Sequence, residues 1–176
     1  MSPSATQETM FKEWLAANRG IVLRVSRSFA RTETQATDLE QEMLIQLWNS
    51  MGAFSGYAKV STWIYRVCLN TALMWARSTG RRERDIEPAV DLASLSAGSV
   101  SPAERVGECE VLDQLYAAIR TLAQFDRALI LLMLDDLSYR EIAEVTGLTE
   151  NHVGVALGRA KKRLAKLMKG ITDELD

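Results

Sequence analysis

The segment from Leu137 to Leu164, LSYREIAEVTGLTENHVGVALGRAKKRL, narrows the possible folds more than any other part of the chain. Ser138-Tyr139-Arg140-Glu141 has the spacing of a capping box, in which a Ser and a Glu three residues on satisfy each other's free backbone N–H groups. Ile142, Ala143 and Val145 then supply an apolar face, and Gly147 falls where a helix can end in a left-handed residue. Thr149 can cap the next helix, in which Val153, Leu157, Ala160 and Leu164 are spaced by four, three and four and therefore share the face toward a core. Two short helices about a tight turn make a helix-turn-helix. Its second helix, Glu150 to Arg159, is the candidate reading surface, because in such units the start of that helix enters the major groove. The outer face carries Asn151, Val155, Gly158 and Lys162. Asn151 can pair with adenine, His152 can donate to a base or phosphate, and Val155 can touch a thymine methyl, with Arg159 and Lys162 as neighbouring cations. Gly154 and Gly158 each cost roughly 1 kcal/mol relative to Ala inside a helix. One turn apart, they would permit close approach by a DNA backbone or a partner's helix. The competing reading of the whole segment is a helical hairpin used only for packing.

Elsewhere apolar residues recur at three and four and no convincing alternating strand occurs, so the fold class is all-α. From Ser78 to about Ser101 the text STGRRERDIEPAVDLASLSAGSVS loses that period and gathers Ser, Gly, Pro and charge, the composition of a flexible connector. Two small helical domains follow, residues 1–80 and 102–176, joined by 81–101. A total of 176 residues accommodates two such units. Ser101-Pro102-Ala103-Glu104 opens the second block as a further capping box with Pro at the first helical position. Leu112, Leu115, Ile119 and Leu122 are then core positions by spacing, as are Leu129, Leu132 and Met133.

Net charge is −2, but it is patterned. Arg77, Arg81, Arg82 and Arg84 cluster ahead of an acidic stretch, and Arg159, Lys161, Lys162, Arg163, Lys166 and Lys169 follow one another without an intervening acid. Such patches can hold phosphates although the whole chain repels them. Cys68 and Cys109 have no metal-ligand spacing and are too few for a disulfide framework, so they read as buried thiols in a reducing cytoplasm. The first residues, MSPSATQETMFKEW, lack a secretory pattern, and the longest apolar run, Ala128 to Leu134, is far too short for a bilayer, so no membrane insertion is expected. An enzyme is the weakest reading. The single His152 lies in the reading helix, and no arrangement suggests a nucleophile, a metal or another cofactor.

Three further motifs carry a resemblance. Asp38-Leu39-Glu40-Gln41-Glu42-Met43-Leu44 places Leu39, Met43 and Leu47 inward and leaves Asp38, Gln41 and Glu42 outward, with Thr37 as the cap. Phe54-Ser55-Gly56, Thr62-Trp63-Ile64-Tyr65-Arg66, Asn70 and Arg77 resemble the pattern F-x-G…W-L-x-R-I-x-x-N…R, and the helix-turn-helix ends resemble L-S-Y-x-E-I-A…R-A-R-x-R-L. Together, over most of the chain, these resemble the extracytoplasmic-function sigma factors, the small two-domain form of the bacterial RNA polymerase specificity subunit. The resemblance implies that Asp38, Leu39, Gln41 and Glu42 dock on core polymerase. It implies that the loop Ser55 to Ser61, with Tyr57, Lys59 and Ser61, receives an unstacked base of the minus-ten promoter element. Arg66, Asn70 and Arg77 on the following helix would hold the melted strand, and Asn151, His152, Val155, Arg159 and Lys162 would read the minus-thirty-five element. Core polymerase, promoter DNA and an anti-sigma factor are the implied partners. Aromatic surfaces and cations beside a polar loop suit an extruded base; Trp63 itself reads as mainly structural.

Two departures stand out. Gly154-Val155-Ala156 replaces the polar, often basic run of the family's reading helix, and Met74 stands where the family often has Asp. The first motivates an alternative function, a sigma mimic that occupies an anti-sigma factor without starting transcription. An ordinary helix-turn-helix regulator would leave the first block unexplained.

Overall fold

The structure, a computed structural model, describes residues 5–85 and 106–173. All regular structure among the described residues is helical: α1 (Ala5–Phe29), α2 (Glu33–Ser50), α3 (Val60–Asp85), α4 (Val106–Thr121), α5 (Gln124–Leu134), α6 (Tyr139–Thr146) and α7 (Glu150–Asp173), with a single 3-10 turn at Met51–Ala53. Helices α1 to α3 pack on one another as one block, and α4 to α7 as a second.

In α2, Leu39, Met43 and Leu47 recur every four residues and are buried against α1 and α3. Fully burying one such side chain is worth about 1.5–3 kcal/mol, which no local propensity matches. The cap differs from expectation. Thr32, in extended conformation, accepts from the Gln35 N–H at 3.2 Å, whereas Thr37 lies within the helix and returns its hydroxyl to the Glu33 carbonyl. The helix begins a full turn earlier because Thr32 has an unpaired helix start to satisfy and Thr37 does not. Likewise α3 continues through Asp85, past Ser78 and Gly80 where the Ser and Gly content suggests a connector. The capping box at Ser101 to Glu104, most of the connector and the side chain of Cys109 lie outside the described residues.

The second block follows its caps. Ser138 and Glu141 form the complete capping box, Gly147 ends α6 at φ 76°, and Thr149 accepts from the His152 N–H. Ile142, Val145, Val153, Leu157 and Ala160 are buried, which joins α6 and α7 into a helix-turn-helix over α5. Ile119 and Leu122 are core as expected, but Leu112, at the same spacing, is 52% exposed. Helical period assigns a face; it does not say how far along the helix a neighbour covers it.

Helix α5 ends in a Schellman turn. The Leu137 N–H reaches the Leu132 carbonyl, the Asp136 N–H reaches the Met133 carbonyl, and Asp136 adopts φ 56°, the place usually taken by Gly. Left-handed backbone costs most residues roughly 1–2 kcal/mol. Asp tolerates this region better than most and Gly adds freedom to the unfolded chain, so Asp136→Gly is expected to stabilise the chain by no more than about 0.5 kcal/mol, read as a slightly higher denaturant midpoint at an unchanged slope. The same turn presents Asp135 to the first block.

The two blocks meet, α1 against α4 and α5, and α3 against α5 and α6. Asp135 accepts from the Tyr65 hydroxyl and from both Nε and Nη2 of Arg24. Arg127 donates to the carbonyls of Arg120 and Leu122 in its own block and of Ser28 in the other, with its guanidinium 5.0 Å from the Phe29 ring centroid. Burial, then repulsion from Arg120 and Arg31, lowers the pKa of that guanidinium. Beside these ties lies an open cleft of about 620 Å³ lined by residues of both blocks, among them Asn18, Arg24, Lys59, Asp135 and Glu141.

Candidate nucleic-acid interface

The outward face of α2 is built as its period requires. Asp38, Gln41 and Glu42 are exposed, and Glu42 accepts from Gln46 at 2.8 Å. Leu39 is not part of this face: it is fully buried and serves the core, so the implied docking role does not extend to it. Ile45, 53% exposed, stands in its place beside Gln41 and Glu42. Spacing of three from Glu42 and four from Gln41 is the signal that identifies it.

Between the 3-10 turn and α3 runs a short loop. The Phe54 N–H closes on the Met51 carbonyl, Gly56 takes φ 78°, and the Trp63 N–H bonds the Lys59 carbonyl to start α3. Tyr57 is 97% exposed at its tip. Trp63 is half-buried and meets Trp14 and Phe54 edge to face, which agrees with a mainly structural role. Beyond the loop, Arg66, Asn70, Met74 and Arg77 form one exposed stripe along α3. Met74, 69% exposed, thus places an apolar side chain in a polar and cationic row.

Two of the cations are engaged by the other block. Lys59 Nζ lies 2.6 Å from Glu141 Oε1, and Arg66 donates to the Glu144 carbonyl, both on α6. Ser61 lines the cleft between the blocks. The lysine, followed by the backbone and hydroxyl of Ser138, holds the Glu141 carboxyl down at about 2 from an ordinary 4.5. A carboxyl whose pKa is depressed in the folded state contributes stability that is complete above its unfolded value and is lost as pH falls through its folded value. Cap and cross-block pair are therefore expected to weaken between pH 4.5 and about 2. Glu141→Gln, which keeps the shape, should flatten this part of a pH-stability curve followed by circular dichroism.

On α7, Asn151, His152, Val155, Arg159 and Lys162 are all exposed, with Val155 at 55%. The close approach at Gly154 comes from within the motif: a Cβ there would sit 3.4 Å from the Tyr139 ring, whereas a Cβ at Gly158 would meet nothing. The Tyr139 ring thus packs over Gly154, the first residue of the Gly154-Val155-Ala156 run. In the basic run, Arg163 is committed to Asp126 of α5, whose carboxylate is 11% exposed, and so helps to hold α7 in place.

An all-helical protein of this build, with an exposed helix-turn-helix in one block and a cationic stripe beside a loop in the other, has the two halves of a promoter-recognising subunit. The family signature Sigma-70 region 2 matches residues 14–82, and Sigma-70, region 4 matches residues 112–164. The chain is 30% identical over 135 residues to the ECF RNA polymerase sigma-E factor of Escherichia coli K12, covering 72% of this chain and 70% of that protein. It is 28% identical to the sigma factor YlaC of Bacillus subtilis over 79% of this chain and 80% of YlaC. The sigma-H factor of Pseudomonas aeruginosa is 27% identical over 88% of this chain and 82% of that protein. The chain belongs to the ECF sigma factors of the sigma-70 family: a non-catalytic subunit of RNA polymerase that directs transcription initiation. The fold is that of the sigma factor RpoE solved with the anti-sigma factor NepR from Bartonella quintana, with a TM-score of 0.72 and 22% identity over 90% of this chain and 96% of that one. CnrH solved with the cytosolic domain of CnrY gives 0.65 and 21%, covering 93% and 90%. No helix among the described residues is long and apolar enough to cross a membrane.

Proposed function

We propose that the three surfaces divide the work of initiation. Residues 1–80 dock core polymerase through Asp38, Gln41, Glu42 and Ile45 and capture the minus-ten element through Tyr57, Lys59, Ser61, Arg66, Asn70 and Arg77. Residues 102–176 read the minus-thirty-five element through Asn151, His152, Val155, Arg159 and Lys162, with the stretch between the end of α3 and residue 101 as connector. The observation that carries this reading is the placement of a fully exposed Tyr57 on the loop that leads into α3, whose exposed stripe carries Arg66 and Arg77. An aromatic ring offers a stacking surface for an unpaired base, and the cations offer charge to its backbone. Asn151 and Val155 supply few polar contacts, so thymine methyls and groove shape carry more of the minus-thirty-five specificity.

While Lys59 and Arg66 hold α6, they are not available to DNA, so melting requires the blocks to part. RpoE is held by NepR and CnrH by the cytosolic domain of CnrY, and a protein partner of that kind is the natural regulator here. The test is run-off transcription by the purified chain with bacterial core polymerase on fragmented genomic DNA, sequencing starts against a core-only control. Starts sharing two upstream elements support the reading. No new starts despite core binding would favour the alternative of a mimic that only sequesters an anti-sigma factor.

A further inference from the structure

The loop bearing Tyr57 has fixed ends and a free tip. It is entered through Phe54, which closes the 3-10 turn, and it leaves into the first turn of α3 at Trp63. These two rings lie 5.5 Å apart, and Trp14 of α1 meets both, at 5.0 Å from Phe54 and 5.7 Å from Trp63, all three edge to face. Trp14 comes from forty residues upstream and lies outside every motif that places the loop. One turn before it, Phe11 makes a similar edge-to-face contact at 5.2 Å, with Trp48 of α2 rather than with either anchor ring, although it borders the small apolar cavity that Trp14 and Trp63 also line.

We infer that Trp14 is a positioning residue for base capture: it touches no DNA, but it fixes the separation and tilt of the two rings from which the Tyr57 loop is hung. This rests on the proposed role of that loop. Choosing one base over three others requires contacts held in one geometry, because discrimination is a difference between affinities. Without Trp14, Phe54 and Trp63 retain each other but lose the third ring that fixes their arrangement. The loop then samples more positions, and the contacts that separate the four bases average out.

The experiment uses the full chain assembled with core polymerase and a template set in which each minus-ten position carries each of the four bases. Open-complex formation is read by permanganate reactivity, and the quantity compared is the ratio of best to worst base at each position. A partly unfolded preparation lowers all templates equally and leaves that ratio unchanged, so the readout separates positioning from stability. Trp14→Leu is expected to reduce the ratio by roughly five- to tenfold, the low end of what one good base contact supplies. Trp14→Phe should recover most of it, and Phe11→Leu should keep the wild-type ratio at whatever cost in stability. If Trp14→Leu lowers every template alike, as Phe11→Leu does, the inference is overturned. Tyr57→Ala identifies which level failed. A flattened ratio there with Trp14→Leu unchanged removes only the role of Trp14, while an unchanged ratio with Tyr57→Ala removes the reading of the loop and the inference with it.

Discussion

Asp135→Ala is expected to part the two blocks. The carboxylate is 15% exposed, and its Oδ2 accepts from Arg24, 40% exposed, and from the hydroxyl of the fully buried Tyr65. Its removal strands a buried phenol and a half-buried guanidinium at once. Breaking a buried pair costs about 3–5 kcal/mol, and the exposure of Arg24 lowers this to about 2–4 kcal/mol of the contact between blocks. Small-angle scattering should show a larger radius of gyration at unchanged helix content. Tyr65→Phe removes one donor, keeps the ring and should cost about 1.5 kcal/mol, the low end for a hydrogen bond to a charged group. An Asp135→Ala chain as compact as the wild type would show that other contacts hold the arrangement.

The second large effect separates two adjacent residues. Asp38→Arg changes an exposed position, so thermal stability should move by no more than about 0.5 kcal/mol, while affinity for core polymerase falls more than about tenfold through like-charge or unpaired contacts. Leu39→Ala empties a fully buried position and should cost about 2–5 kcal/mol of folding. Paired melting curves and core-binding titrations check both. Loss of core binding in neither variant, or equal loss of stability in both, would contradict the assignment of the two faces of α2.

These faces illustrate what is readable in a sequence of this kind. Features satisfied within four residues are legible: the capping box at Ser138 and Glu141, the left-handed Gly147, and the inward row of Leu39, Met43 and Leu47 all stand as their spacing implies. Thr37 shows the limit even there. The sequence points to Thr37, but the chain is already helical there, and it is Thr32, five residues earlier and in extended conformation, that meets free N–H groups. Partners brought together by packing are not legible. Asp135 and Arg24 are 111 residues apart, and neither residue type nor period pairs them. Trp14 is silent for the same reason, since an edge-to-face contact has no sequence spacing. Gly154 is an intermediate case: its lack of a side chain is plain, but the Tyr139 ring that a Cβ there would touch belongs to another helix.

Glu141 divides its two oxygens. Oε2 accepts from the N–H and hydroxyl of Ser138 at 2.9 and 2.8 Å, and Oε1 alone takes Lys59 of the other block. The joint between blocks therefore uses a lone pair that α6 does not need for its own start. On the proposed reading, a Lys59 that turned to a phosphate would free only Oε1, and the two Ser138 bonds on Oε2 would still cap the helix. The DNA-reading unit can swing away as a rigid body, with no turn of helix to melt beforehand and none to rebuild on return.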